Sequence, residues 1–251
     1  MRSKARLHPL AALAPSVEFP VTICVLAYGP HSALAERFLT SLYQNTDPEL
    51  FRLRAGLNEV EPQSRRVFDD YARRFGNVSI FPEPKNVFKS PLMRRLFWSA
   101  GINTTWTIWC DDDTHFTKAD WLHRLSSKIE CAPQIAMWGY THALWVHSPQ
   151  VLDWIKTAAW YRGEPFLCGV DREGREATEF RFATGGFWAI KTSVLKLLNW
   201  PDPRLIQAND DFLLGEALRQ NQLGIGGFDY GVIINDAPRR NGDAREVQEL
   251  T

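Results

Sequence analysis

Three consecutive aspartates, Asp111, Asp112 and Asp113, follow a run of strand-forming residues over 106–110. Unpaired carboxylates are costly to remove from water, so we expect the triplet at the end of a strand, where the chain reaches solvent. Because side chains alternate along a strand, Asp111 and Asp113 are predicted on one face and Asp112 on the other. Two carboxylates on one face suit a hard divalent cation such as Mn2+ or Mg2+. The triplet therefore predicts a site for a cation and an anionic ligand.

A second acidic pair, Asp210 and Asp211, follows Asn209, a residue type that favours the N-cap of a helix. Carboxylates in the first turn of a helix interact favourably with its dipole. A carboxylate within hydrogen-bond reach of a hydroxyl can also take its proton during a reaction. Both roles, structural and chemical, stay open for this pair.

A glycine-aromatic segment lies between the two acidic groups. Gly185 and Gly186 would allow the backbone to approach a ligand closely. Trp188, two residues further on, can either stack on a sugar or fill the core.

Composition excludes several classes of protein. The 29 Lys and Arg balance 29 Asp and Glu, so no overall field favours nucleic acid or an anionic membrane. The four cysteines contain no C-x-x-C pair, which suits a reducing, cytoplasmic location and argues against a zinc ribbon or a disulfide framework. No apolar run approaches the roughly 18 residues that a membrane span needs.

The first half of the chain alternates between strand and helix patterns. Strands are predicted over 21–27, 51–57, 78–81 and 106–110. Helices are predicted over 32–45, 62–75 and 90–101, with a fourth that ends near residue 130. This order predicts a mostly parallel sheet, which binds ligands at the carboxyl ends of its strands. The segments expected to meet at that edge are Tyr28, 58–59, 83–86 and 111–113.

The second half is less regular. It contains a predicted strand over 135–140, a helix over 148–160, two short strands within 166–182, a further segment over 183–190 and a helix from Asn209 to near residue 224. One domain is predicted over 20–236, with halves at 20–130 and 131–236. A flexible N-terminal arm over 1–19 precedes it, and a polar tail over 237–251 follows it.

Together these segments resemble the GT-A fold glycosyltransferases, in particular the inverting nucleotide-sugar transferases of glycosyltransferase family 2. The matching segments occur in the family's order: the first strand with Tyr28, then 111–113, 184–188 and 209–211. The departure is Asp210, where the family has glutamate. The resemblance implies an α/β, GT-A-like single domain, with a mostly parallel central sheet flanked by helices. Residues 20–130 would form the nucleotide-sugar half, and residues 131–236 a mixed acceptor half.

The resemblance also implies roles for individual residues. The donor, a nucleotide-diphosphate sugar, would contact Tyr28, Glu59, Arg94, Arg95, Asp111 and Asp112. The metal, Mn2+ or Mg2+, would be held by Asp113 and Asp111, with Asp236 as a weaker candidate. The catalytic residues would be Asp211 as the base and Asp210 as its neighbour. The acceptor would contact Gly185, Gly186 and Trp188.

The acceptor and two rival functions stay open. The acceptor hydroxyl can belong to a glycan, a protein, a lipid, a small molecule or a hydroxymethylated DNA base. For DNA, the available cations near the C-terminus are Arg239, Arg240 and Arg245. A nucleotidyltransferase is one rival, but the first strand is not followed by a glycine- and basic-rich phosphate loop. A catalytically inactive nucleotide-sugar-binding module is the other.

Overall fold

The structure is a computed structural model that describes residues 19–207 and 209–234. Its first half follows the predicted alternation of strands and helices. The strands are β1 (Val21–Tyr28), β2 (Phe51–Asn58), β3 (Val78–Glu83) and β4 (Trp106–Asp111). The helices between them are α1 (Ser32–Asn45), α2 (Pro62–Arg74) and α3 (Lys89–Trp98). All three pairings among these strands are parallel, as predicted.

The rest of the described chain contains more strands and helices than predicted. Its strands are β5 (His115–Phe116), β6 (Ile135–Val146), β7 (Cys168–Val170), β8 (Glu176–Lys191), β9 (Gly224–Gly227) and β10 (Val232–Ile233). Its helices are α4 (Trp121–Cys131), α5 (Pro149–Lys156), α6 (Thr192–Leu198) and α7 (Asp210–Gln220).

The strands of the described residues form an eight-stranded sheet and a two-stranded sheet. The order along the large sheet is β3-β2-β1-β4-β8-β6-β9, with β7 paired to the outer part of β8. Only β8 runs against its neighbours, pairing antiparallel with β4, β6 and β7. The sheet is therefore mixed but mostly parallel, with flanking helices, which confirms the predicted fold class.

Two predicted boundaries were wrong because tertiary pairing overrides local pattern. The two short strands predicted within 166–182 are present as β7 and the first part of β8, but the predicted break before 183 is absent, because β8 runs unbroken from Glu176 to Lys191. Its partner β6 extends from the sheet to pair with β8 as far as Val146 with Thr178. Helix α3 begins at Lys89 rather than after a Ser90 cap. Phe88 has a φ of 66°, and the backbone N–H of Ser90 donates to the carbonyl of Ile206 at 3.0 Å.

Two clusters of buried apolar side chains cover the two faces of the sheet. Alternation along β1 sends Ile23 and Val25 into one cluster and Cys24 into the other. Strand β4 is buried along its whole length, as its continuous apolar sequence predicts for a central strand. In the described part of the chain, no helix has the length and apolar character needed to cross a bilayer.

Helix α7 packs against β8 at Gly215, where the two backbones come very close. A Cβ atom at this position would lie 2.2 Å from the carbonyl oxygen of Arg181 and 2.7 Å from Cβ of Phe182. We predict that Gly215→Ala lowers the melting temperature by several degrees. Overpacking costs about 1–3 kcal/mol, or about 2–4 °C per kcal/mol in a domain of this size. The higher helix propensity of alanine, worth about 1 kcal/mol, offsets only part of that cost.

The matched control is Gly76→Ala, because nothing lies within 4 Å of a Cβ atom built at Gly76. Circular dichroism melting of the two variants measures the difference. Equal melting temperatures would show that α7 and β8 can separate without cost.

Candidate active site

The register of the parallel strands brings the predicted edge residues together. Tyr28 pairs with Asn58, Asn58 pairs with Glu83, and Leu26 of β1 pairs with Asp111. The carboxyl ends of all four parallel strands therefore lie at one edge, where the sequence predicted a site.

The aspartate triplet is buried rather than solvated. Asp111, Asp112 and Asp113 are 7%, 3% and 1% exposed. Strand β4 ends at Asp111, and the N–H of Thr114 donates to the Asp111 carbonyl at 3.1 Å, which closes a turn. The predicted strand alternation therefore stops at Asp111, and it does not determine the directions of the next two side chains.

Neighbouring elements hold the turn in place. The backbone N–H of Tyr28 donates to Oδ2 of Asp112 at 3.3 Å, which joins the turn to the end of β1. From α1, the Arg37 guanidinium donates to the carbonyl of Asp113 at 2.9 Å. Asp112 thus anchors the turn on the last residue of β1, and its predicted contact with the donor stays a prediction.

Two stacked tryptophans form the floor beneath Asp111. The rings of Trp109 and Trp188 lie 6.1 Å apart with an interplanar angle of 20°, and Nε1 of Trp109 donates to Oδ1 of Asp111 at 3.2 Å. Trp188 is 1% exposed. Its predicted stacking on an acceptor sugar was wrong, because β4 and β8 are adjacent strands and their tryptophans pack face to face in the core.

The second acidic pair lies at the start of α7 and splits into a buried and a more open carboxylate. The Asp210 side chain is 8% exposed and that of Asp211 is 27% exposed. Asn209 is at the N-cap with a φ of 62°, and its side chain makes no capping hydrogen bond, contrary to the predicted cap.

One oxygen of Asp211 is fixed and the other is available. The N–H of Gly185 donates to Oδ2 at 2.6 Å. The buried Oδ1 accepts no hydrogen bond from the described residues. Burial, followed by the charge of Asp210, raises the pKa of Asp211, while the Lys89 ammonium and the Gly185 N–H oppose that rise. A carboxylate with a raised pKa and one oxygen that accepts no hydrogen bond from the described residues suits proton transfer.

Lys89, which the sequence prediction missed, links the two acidic groups. Its Nζ lies 3.2 Å from Oδ2 of Asp210, 3.7 Å from Oδ1 of Asp111 and 3.9 Å from Oδ1 of Asp211. Burial alone lowers the pKa of the ammonium, but the three carboxylates outweigh burial and raise that pKa above its usual value. A cation at the first residue of a helix is unfavourable for the helix dipole, and this was the available sequence signal.

Gly185 and Gly186 allow side chains from other parts of the protein to come close to their backbone. A Cβ atom on Gly185 would lie 2.5 Å from both Oδ1 of Asp211 and Nζ of Lys89. A Cβ atom on Gly186 would lie 2.9 Å from Cβ of Ile234, and its carbonyl accepts a hydrogen bond from Thr114. Both glycines are buried, so the contacts that they make are with the acidic site and with the chain beside it.

Asparagine side chains fix the loop that precedes Lys89. Asn58, buried at the end of β2, donates to Oδ1 of Asn86 at 2.8 Å and accepts from the N–H of Val87 at 2.9 Å. The same Asn86 oxygen accepts from the N–H of Phe88 at 2.8 Å. These bonds hold Phe88 in its left-handed conformation, which turns the chain into α3 at the edge of the site.

Other predicted site residues are not brought to the acidic cluster. The Arg94 guanidinium donates to the carbonyls of Asn199 and Pro201, and Arg95 pairs with Glu83. Neither arginine pairs with the aspartates of the site, and a contact of either one with the donor stays a prediction. Glu59 is exposed at the sheet edge with a φ of 52°.

The structure describes two of the three residues that were predicted to hold a metal. Asp111 and Asp113 supply hard carboxylate oxygens at the edge, and Mg2+ often binds through one or two carboxylates together with substrate phosphates. This donor set fits Mn2+ or Mg2+. Among residues 19–207 and 209–234, no group of three His, Cys, Asp or Glu side chains is arranged to hold a metal ion. The weaker candidate ligand, Asp236, lies outside the described residues.

Comparisons by sequence find no relative: no protein-family model matches the chain, and no curated protein matches it. Solved structures do match. The mannosyltransferase PcManGT from Pyrobaculum calidifontis, in complex with GDP-Man and Mn2+, has a TM-score of 0.63 at 14% identity. The match covers 93% of this chain and 61% of that one. The protein has a GT-A-like glycosyltransferase fold.

Two structures of S. aureus TarS support the same GT-A-like fold. TarS 1–349 matches with a TM-score of 0.55 at 11% identity, over 84% of this chain and 58% of that chain. TarS 1–349 in complex with UDP-GlcNAc matches with a TM-score of 0.52 at 12% identity, over 84% and 56%. This chain therefore spans about three fifths of the length of the structures that share its GT-A-like fold.

We predict that Asn58→Ala loosens the loop before α3. Loss of its two hydrogen bonds removes the partner of the Val87 N–H and one partner of Asn86, at a cost of about 0.5–1.5 kcal/mol per bond. Hydrogen exchange should accelerate at the amides of Val87 and Phe88. Asn103→Ala, at an exposed position before β4, is the control and should leave both amides protected. Unchanged exchange in Asn58→Ala would show that the loop does not depend on this side chain.

Proposed function

We propose that the protein is a glycosyltransferase that moves a sugar from a nucleotide-diphosphate donor to an acceptor hydroxyl, with inversion at the transferred carbon. The fold supports this proposal, because matching structures are a mannosyltransferase bound to GDP-Man and Mn2+ and TarS bound to UDP-GlcNAc. The acceptor belongs to a glycan, another hydroxyl-bearing molecule or a modified DNA base.

The observation that carries the proposal is the meeting of two carboxylate groups with different environments. Asp111 is the last residue of β4, and Asp211 lies in the first turn of α7. Both approach the same Lys89 ammonium, at 3.7 Å and 3.9 Å. An inverting transfer needs a donor site and a base that are close but distinct, and this pair of groups supplies both.

On the donor side, the residues at the ends of β1 and β4 would bind the nucleotide diphosphate. Tyr28 lies at the end of β1, where its ring can contact the base of the nucleotide. Asp111 and Asp113 would hold the cation. When bound, Mn2+ or Mg2+ would neutralise the negative charge that develops on the departing diphosphate. The turn over 111–114 is fixed by Tyr28 and Arg37, so these carboxylates are preorganised.

On the acceptor side, Asp211 would accept the proton of the attacking hydroxyl. Its Oδ2 accepts a hydrogen bond from the Gly185 N–H, and its buried Oδ1 accepts none from the described residues, so Oδ1 would receive the proton once the acceptor hydroxyl reaches it. Asp210 is less exposed and lies closer to Lys89, which favours Asp211 as the base. The proposal therefore keeps Asp211 as the base and Asp210 as its neighbour, as the resemblance implies.

Donor binding is tested first by thermal shift with UDP, GDP, UDP-GlcNAc and GDP-mannose, each with Mn2+. A ligand that binds only the folded state stabilises it by about 2.7 kcal/mol at about 100 times its Kd, a shift on the order of 5 °C or more. We predict such a shift for at least one sugar nucleotide, and its loss in Asp113→Asn. Asp153→Asn is the control, since that carboxylate is 73% exposed on α5.

Failure of every common sugar nucleotide to shift the wild-type protein would contradict the proposed donor site. A shift with nucleoside triphosphates alone would instead favour the nucleotidyltransferase alternative.

Catalysis is tested with Asp211→Asn. The amide cannot take a proton, so we predict a fall in turnover of at least about 100-fold, measured as nucleoside diphosphate release, with the donor-induced thermal shift retained. Retained turnover in Asp211→Asn would remove this residue as the base. A wild-type protein that binds donor but releases no nucleoside diphosphate with any acceptor would favour an inactive binding module.

A further inference from the structure

Lys89 is the meeting point of three elements at the edge of the sheet. It is the first residue of α3, and its ammonium approaches one carboxylate from β4 and two from α7. Strand β4 and helix α7 carry the proposed donor and acceptor sides of the site. The ammonium therefore lies between the two sides, rather than beside one of them.

Electrostatics make this cation necessary for the observed arrangement. Three carboxylates that all lie within 3.9 Å of one nitrogen are close enough to repel one another strongly in a partly buried site. The Lys89 side chain is 21% exposed, so water screens these charges only in part. Its Nζ also lies 5.8 Å from the centre of the Trp109 ring, a favourable position for a cation.

The protein backbone fixes the lysine from several directions. The loop before it is held by Asn58 and Asn86, and the next residue, Ser90, donates its N–H to Ile206. The ammonium lies where a Cβ atom of Gly185 would be 2.5 Å away, so it occupies space that only glycine leaves open. Lys89 is thus held in this cluster by its surroundings as well as by charge.

The distances from the Lys89 nitrogen to the three carboxylates are unequal. Only the 3.2 Å contact with Asp210 is within hydrogen-bond range. The ammonium is therefore anchored on Asp210 and stays 3.9 Å from Oδ1 of Asp211. At that distance it attracts the carboxylate without occupying the oxygen that would accept a proton.

We propose that Lys89 is a positioning residue. Through an ion pair anchored on Asp210, it holds the proposed base Asp211 at a fixed distance from Asp111, the carboxylate on the side of the site that would bind the sugar nucleotide. The inference rests on the proposed function. Without the ammonium, the carboxylates of β4 and α7 repel, and α7 carries the base away from the donor side. Removal of the Lys89 charge is therefore expected to slow the chemical step more than it weakens binding of the sugar nucleotide.

The first test is the kinetics of Lys89→Met, which keeps the length of the side chain and removes its charge. We expect kcat at saturating donor and acceptor to fall at least tenfold, while the KM for the donor changes less than threefold. Lys196→Met removes a cation from an exposed position on α6 and should leave both constants unchanged. A kcat of Lys89→Met within twofold of wild type would overturn the proposal.

Chemical rescue separates a positioned ammonium from a structural side chain. In Lys89→Ala, we expect added ethylammonium to restore kcat at least fivefold, since it can enter the vacated space and pair with the carboxylates. Tetramethylammonium at the same concentration has no N–H donor and should not restore activity. Equal restoration by both ions would show that bulk screening suffices, and would overturn the proposal.

A stability cycle tests the ion cluster independently of any substrate. The melting temperatures of Lys89→Met, Asp210→Asn and the double variant should show coupling, with the double variant more stable than the sum of single losses predicts. Additive losses would overturn the proposed anchor. Coupling in a protein that binds no sugar nucleotide would instead overturn the proposed function and leave the ion cluster established.

Discussion

The arrangement at the sheet edge depends on compensation of buried negative charge by one ammonium. Asp111 lies on β4, and Asp210 and Asp211 lie on α7. Packing of the fold brings these two elements together, and the negative charges of the three carboxylates oppose that approach. Lys89 supplies the opposite charge at the point where they meet. A fixed cation between carboxylates is far more effective in a partly buried site than in water, because the surrounding medium screens less. The position of the proposed base relative to the proposed donor side therefore follows from this ion cluster.

The fold provides the rigid frame that this cluster needs. Parallel strands β1, β2 and β4 end at one level, and the antiparallel strand β8 passes beside β4 to bring Gly185 under the same edge. The stacked Trp109 and Trp188 form an incompressible floor, and Trp109 also donates to Asp111. Glycines at 185 and 215 let α7 and its carboxylates approach β8 closely. Packing density, rather than flexible loops, sets the distances among the charged groups.

PcManGT and TarS share the fold of this chain at an identity of only 11% to 14%. Such divergence is possible because a sheet of this kind requires apolar alternation and small residues at crossings rather than particular side chains. The proposed site is more restrictive, since it depends on carboxylates at the end of a buried strand and at the start of a helix. In this chain the aspartates of β4 and α7 lie at those two positions.

The sequence by itself determined the parallel half of the sheet, the edge at which its strands end, and the acidic segments 111–113 and 210–211. Those features follow from local periodicity and from residue types that tolerate few other places. Tertiary structure alone decided that the triplet is buried, that Trp188 fills the core and that β8 is one long strand, because each depends on a distant partner. It also placed Lys89 among three carboxylates. A lysine at the start of a helix is a weak signal in a sequence, and the cluster forms only when folding brings the three carboxylates around it.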